Sequence, residues 1–230
     1  MRVLVSVDME GIATVVHRDD IHPGHSEYEH HRKQLTAEAN AAVRGVHAYQ
    51  ADAQVLITEA HADFRNLLPE ALDRRAELLR GTPKPGGMMA GLAEDMDAVL
   101  FIGYHGKAGT ARSVMAHTIS GSVVADVRCN GRSLGELGLN TALAAHHGVP
   151  PVLVSGDDTV PPRRPRWRRA CVVSWSNTPW AHGRPRCCIP RRPASGSSKR
   201  YRMHWPTGTP SAHCASMARS SWRSRCSGRT

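Results

Sequence analysis

Six side chains able to bind metal or move protons stand out by position: Asp8, Glu10, His61, His105, His117 and Glu136. Carboxylate and imidazole together, with no thiolate among them, suit zinc or a similar borderline divalent ion. Asp8 and Glu10 are two residues apart, so on extended backbone both point to one side. Carboxylates that close repel each other unless a cation intervenes. Asp8, Glu10, His61, His105 and Glu136 would supply five ligands, one of which could bridge two ions. A pair of ions lowers the pKa of a shared water and polarises a carbonyl, which allows hydrolysis near neutral pH. Singly, each residue has an ordinary role. An acid after a strand makes an Asx-turn or a cap, and Glu10 alone is a solvated loop residue. Lone loop histidines are usually hydrogen-bonded, and Glu136 alone is a first-turn acid favoured by the helix dipole. His117 alone says nothing. No short-range signature such as HExxH joins the six.

The elements that must position them are short and apolar. Arg2–Val7, Gln54–Thr58, Ala98–Gly103 and Pro151–Ser155 are apolar on consecutive positions, as strands buried on both faces are. Tyr28 to Tyr49 carries Leu35, Ala39, Ala42, Val43 and Val46 at helical spacing. Leu134 to His147 reads as a second helix, stopped by Gly148 and Pro150-Pro151. Gly121 to Arg132 reads as a hairpin turning at Asn130-Gly131. Alternating strands and helices predict an α/β fold, a mostly parallel sheet flanked by helices. The ligand site of such a sheet lies beyond the C-terminal ends of its strands. Five of the six residues fall at such ends or at a helix start. His17, His22, His25, His30, His31 and His47 read instead as surface residues, with His17 to His25 on the rim of the site.

The overall charge points elsewhere. With 30 Lys+Arg against 20 Asp+Glu the net charge is +10, which on its face suggests a nucleic-acid or anionic-surface binder. The charge is not spread along the chain. Residues 1–160 hold all 20 acids and 14 of the basic residues, whereas residues 161–230 hold 16 basic residues and no acid. The tail also carries all five Trp, five of the six Cys and nine of the 15 Pro. Its cysteines (Cys171, Cys187, Cys188, Cys214, Cys226) form no CxxC or CxxH pairing that would make a zinc or disulfide module. A nucleic-acid-binding arm would account for the Arg and Trp. A GC-rich gene read out of frame accounts for Arg, Pro, Ser, Cys, Trp and Gly together. One permitted codon assignment for Ser174–Trp180, read from each third base, yields Val-Val-Lys-His-Ala-Met, a strand and loop. The expectation is a domain over residues 1–160, C-terminally incomplete, followed by an irregular or disordered basic tail over 161–230. No run approaches the roughly 18 apolar residues of a membrane span, and the start MRVLVSVDMEG is too short and acidic for a signal peptide, so a cytoplasmic location is expected.

In order along the chain, Ser6–Ile12 (SVDMEGI), Thr36–Asn40 (TAEAN), Glu59–His61 with Asn66-Leu67, Phe101–His105 (FIGYH), Met115–Thr118 (MAHT), Gly135–Asn140 (GELGLN) and Ser155–Asp158 (SGDD) resemble the D-aminopeptidases of the DppA type, peptidase family M55. The resemblance covers about the first 158 residues. It implies an α/β fold, two zinc ions per active site and a ring-stacked homodecamer. It makes Asp8 the bridging ligand, Glu10, His61, His105 and Glu136 the other metal ligands, and His117 the catalytic residue, as nucleophile or general base. The implied activity is removal of N-terminal D-residues, typically D-Ala, from short peptides. A nucleic-acid-binding tail and an inactive remnant of the peptidase are the alternatives. A tail that binds nucleic acid predicts steeply salt-dependent binding that disappears when residues 161–230 are removed. A gel-shift titration at several salt concentrations, with and without residues 161–230, checks it.

Overall fold

The computed structural model describes residues 1–160 and the backbone of 172–177. Six strands form one sheet: β1 (Arg2–Val7), β2 (Gln54–Glu59), β3 (Ala76–Leu79), β4 (Ala98–Tyr104), β7 (Pro151–Asp157) and β8 (Val172–Asn177). Their order is β3-β2-β1-β4-β7-β8, and every pairing is parallel. A two-stranded antiparallel ribbon, β5 (Arg128–Cys129) with β6 (Arg132–Ser133), lies apart from it. Among the described residues, two helices, α1 (Tyr28–Tyr49) and α2 (Glu136–His146), complete the regular structure together with three short 3-10 turns.

Alternation along the central strands divides the core in two. Val3, Val5 and Val7 of β1 and Ala98, Leu100 and Ile102 of β4 join one apolar cluster with Leu35, Ala39, Val43 and Val46 of α1. Leu4, Val99 and Phe101 face the other way, into a second cluster with Ala144 of α2, Met89 and Val149. Both faces are therefore covered, which is why these strands read as unbroken apolar runs. Each fully buried Val or Leu contributes about 1.5–3 kcal/mol relative to exposure. The chain leaves β1 to one side through β2 and β3, and returns on the other side as β4 and β7. The switch point thus falls between β1 and β4, the place where open α/β sheets form a crevice for ligands.

Expected elements match closely, with three differences. β3 was not expected; it is four residues long and only partly buried, so its apolar signal is weak. The expected hairpin is shorter and later than Gly121 to Arg132. Its strands hold two residues each around Asn130 and Gly131, whose φ values of 51° and 75° suit a tight turn. His31 is buried rather than a surface residue, because its ring bridges the carbonyls of Glu27 (2.9 Å) and Thr14 (3.3 Å). Within the basic tail, 172–177 is a strand along the outer edge of β7; the rest of the expected irregular tail lies outside the described residues. No helix among the described residues is long and apolar enough to cross a membrane.

At the switch point the loop after β1 meets the end of β4 backbone to backbone. The Gly11 N–H donates to the Gly103 carbonyl at 2.8 Å, and Gly103 has a φ of 72°. A Cβ on Gly103 would lie 2.0 Å from the Asp8 carbonyl oxygen, and one on Gly11 2.0 Å from that of Tyr104. Gly103→Ala is therefore expected to destabilise the fold by roughly 2–4 kcal/mol, through overpacking and left-handed strain together. Urea denaturation checks the size of the loss.

Candidate metal centre and active site

All six residues singled out by the sequence meet at this crevice. Asp8 and Glu10 follow β1, His61 lies in the loop after β2, and His105 follows β4 directly. Glu136 opens α2, and His117 comes from the loop between β4 and the ribbon. Tyr104, next to His105, sets the angle of α2. Its hydroxyl bonds Ser6 of β1 at 2.7 Å and accepts from Asn140 of α2 at 3.0 Å. Asn140 is one helical turn beyond Glu136, so fixing one places the other on the same face.

The three imidazoles share one pattern. The His105 ring contacts the Gly106 carbonyl through Nδ1 (3.0 Å), His61 the Ile21 carbonyl through Nε2 (3.2 Å), and His117 the Met115 carbonyl through Nδ1 (2.9 Å). A carbonyl only accepts, so each contact places an N–H on that nitrogen and selects the tautomer. The remaining nitrogens all face carboxylates. His105 Nε2 lies 3.1 Å from Glu136 Oε2 and 3.5 Å from Asp8 Oδ2. His61 Nδ1 lies 3.0 Å from Glu10 Oε2 and 3.8 Å from Asp8 Oδ1. His117 Nε2 lies 3.6 Å from Glu10 Oε1 and 3.7 Å from Glu136 Oε1, with its ring stacked on His105 at 4.1 Å. Metal-binding histidines are typically held in this way, by a bond from the nitrogen that does not ligate.

The charge balance favours a bound cation. Asp8, Glu10 and Glu136 are all buried, and among the described residues they form ion pairs with histidines only. Burial pushes the Asp8 carboxyl well up, and the Glu10 charge adds to this. Burial also acts upward on Glu10, but the charge and hydrogen bond of His61 outweigh it and hold Glu10 well down. Burial acts upward on Glu136 as well, but the bond and charge of His105 together with the Ile119 N–H and the His117 charge hold it below its ordinary value. Burial disfavours a charged His105, yet Glu136, Asp8 and Glu10 together raise it to about 10. Protons on imidazoles thus balance the carboxylates. Asp8 Oδ2 is buried without a hydrogen-bond partner, a costly arrangement for a carboxylate oxygen unless a cation takes it. Candidate ligand atoms fall into three sets, each within 4.8 Å: Asp8, Glu10 and His61; Asp8, His105 and Glu136; and Glu10, His105 and His117. Oxygen and imidazole donors in closed sets of three fit zinc.

A parallel α/β sheet with a buried carboxylate–imidazole cluster at its switch point presents a candidate metal site. The chain belongs to the peptidase M55 family: the family model described as D-aminopeptidase matches residues 1–165. A D-aminopeptidase of Bacillus subtilis (strain 168) is 37% identical over 162 residues, which cover 69% of this chain and 57% of that protein. This chain therefore spans a little over half the length of that curated relative. The solved structure of the Zn-dependent D-aminopeptidase DppA from Bacillus subtilis, described as a self-compartmentalizing protease, superposes with a TM-score of 0.73 at 31% identity. That match covers 83% of this chain and 68% of the DppA chain.

Several residues that the sequence offered only as parts of motifs, with no role of their own, support the site. Glu59, buried at the end of β2, accepts from the N–H groups of Asn66 (2.6 Å) and Leu67 (3.1 Å). Asn66 in turn donates to the His61 carbonyl at 2.9 Å and accepts from Tyr28 at 2.9 Å, which closes the His61 loop. The available signal was an acid ending an apolar strand, the same signal that marked Asp8. Glu38 of α1 accepts from the Ala13 N–H at 2.9 Å and so anchors the loop that carries Asp8 and Glu10. Burial raises the Glu38 carboxyl to about 7, despite the opposing effect of the Ala13 bond. The folded chain keeps this proton across the window from about 4.5 to about 7, where the unfolded chain releases it. The Glu38 contribution to stability therefore falls as pH rises through that window and is level above it. Glu38→Gln keeps the acceptor for Ala13 and is expected to exceed the parent in stability by roughly 2 kcal/mol at about pH 8, with the difference vanishing towards about pH 4. Urea denaturation across that pH range reads it directly.

Proposed function

We propose that this chain is a cytoplasmic zinc-dependent aminopeptidase that removes N-terminal D-residues, D-Ala foremost, from short peptides at a two-metal site. The observation that carries the reading is the histidine pattern. Three imidazoles each commit one nitrogen to a backbone carbonyl and turn the other towards three buried carboxylates. Two of the ligand sets share Asp8 alone. That supports Asp8 as a bridge, with Glu10 and His61 on one ion and His105 and Glu136 on the other. Zinc bound there would acidify a water and polarise the scissile carbonyl.

The chain's own groups supply the proton transfers. Because its Nδ1–H is held by Met115, His117 presents an Nε2 lone pair towards the carboxylate cluster. We assign it as general base. It takes a proton as water oxygen adds to the carbonyl carbon, then returns that proton to the leaving amine nitrogen as the C–N bond breaks. The likeness to DppA, described as self-compartmentalizing, supports a homo-oligomer, with the homodecamer as its expected form. In this reading residues 1–160 form the metallopeptidase domain, and the acid-free stretch 161–230 is an out-of-frame tail. The nucleotide sequence around codon 160 tests that division.

Full-length protein expressed with ample zinc is expected to hold zinc by elemental analysis and to release D-Ala from D-Ala-D-Ala in preference to L-Ala from L-Ala-L-Ala. Chelation should abolish release. His117→Ala should lower kcat by about 10²–10⁴-fold with zinc content unchanged. Zinc-free protein with no D-Ala release overturns the reading. The change of composition after residue 160 favours an inactive remnant as the second reading, and zinc uptake without hydrolysis is the result that would select it.

A further inference from the structure

Asp157, the last residue of β7, is fully buried and lies outside the proposed ligand set. Its Oδ2 accepts from the Ser113 hydroxyl and from the Val114 N–H (2.8 Å), while Oδ1 accepts from the Thr159 N–H at 2.9 Å. The segment it grips leads to His117. Ser113 Oγ also accepts from the Gly106 N–H at 3.1 Å, and the Gly106 carbonyl accepts from the His117 N–H at 3.2 Å. Packing is close here: a Cβ on Gly106 would lie 2.4 Å from Ser113 Oγ. The loop itself is strained, with Arg112, Met115 and Ile119 at φ values of 63°, 51° and 64°. Residues other than glycine hold such a conformation only where the surroundings impose it. Met115 is the critical one, because its carbonyl selects the His117 tautomer, and Asp157 holds the Ser113–Val114 peptide that leads into it.

We infer that Asp157 is the positioning residue for His117: by anchoring Ser113 and Val114 it orients the Met115 carbonyl and so directs the His117 Nε2 lone pair into the site. The inference rests on the proton-transfer role proposed above for His117. It gives a buried acid at the edge of the family match a task separate from metal binding. It also ties the site to the sheet's outer edge, since β7 pairs on its far side with β8 and Asp157 lies opposite Asn177.

Asp157→Asn keeps size and shape but turns an N–H towards donors. On the zinc-loaded full-length chain it is expected to lower kcat about 10–100-fold, as a small misplacement of a proton-transfer group does. KM should stay within about 2-fold and zinc stoichiometry should be unchanged. In the His117→Ala background the same substitution should cost nothing further, because the group it positions is gone. A full multiplicative loss in that background, or loss of zinc in step with activity, overturns the inference. If Asp157→Asn does not fold, Ser113→Ala replaces it in the same cycle, with an expected loss of about 3–10-fold that must likewise vanish beside His117→Ala. If the parent releases no D-amino acid, the functional reading has failed and hydrogen exchange decides the positioning claim. The Val114 and His117 amides should then exchange faster in Asp157→Asn while those of Leu100 and Ile102 in β4 do not change. Unaltered exchange at Val114 and His117 overturns it.

Discussion

Three carboxylates, Asp8, Glu10 and Glu136, converge in a buried crevice with imidazoles as their only ion-pair partners among the described residues. Mutual repulsion and lost hydration both oppose this, and a folded chain tolerates it only with positive charge close by. In the structure that charge comes from protons on His61 and His105, each raised in pKa against its own burial. The orphaned Asp8 Oδ2 marks where protons on histidine fall short of full compensation. A divalent cation in the same place would neutralise the cluster and free the imidazoles to ligate as neutral groups. Much of the surrounding structure serves to hold these six side chains at that point.

The sheet provides the convergence. Because β1 and β4 are neighbours at the switch point, the residues that follow them emerge side by side, and the glycine contact between the loop after β1 and the end of β4 brings them closer still. Further anchors act on one loop each: Glu38 on the loop after β1, Glu59 with Asn66 on the His61 loop, Asp157 on the His117 loop. The three acids accept backbone N–H groups and Asn66 donates to the His61 carbonyl, and such bonds fix a loop from outside the cluster. The polar supports are thus distributed around the cluster rather than within it.

Net charge misleads about function in this chain. The +10 balance averages an acidic stretch of 160 residues, whose acids include the three site carboxylates, with an acid-free stretch of 70. The family match ends at residue 165, near that boundary. Beyond it, the one described segment, 172–177, adds a parallel strand beside β7. Backbone pairing of this kind requires little of the side chains, so it is compatible with a sequence of unrelated composition.

Strand and helix positions were legible because burial on both sheet faces demands apolar runs, and helix faces repeat with a fixed period. The six site residues were legible for a related reason: polar groups placed directly after such runs must gather at one edge of a parallel sheet. Motif order then separated the three site histidines from the eleven others in the chain. The tertiary structure alone decided the rest. Which ring nitrogen faces the carboxylates depends on carbonyls of Ile21, Gly106 and Met115 that lie on three different loops. Buried His31, the short β3 and the anchoring roles of Glu38 and Asp157 follow from loop paths, and those paths depend on contacts between residues far apart in the chain. Local pattern determines where a polar residue leaves its strand; only the assembled fold determines what it meets there.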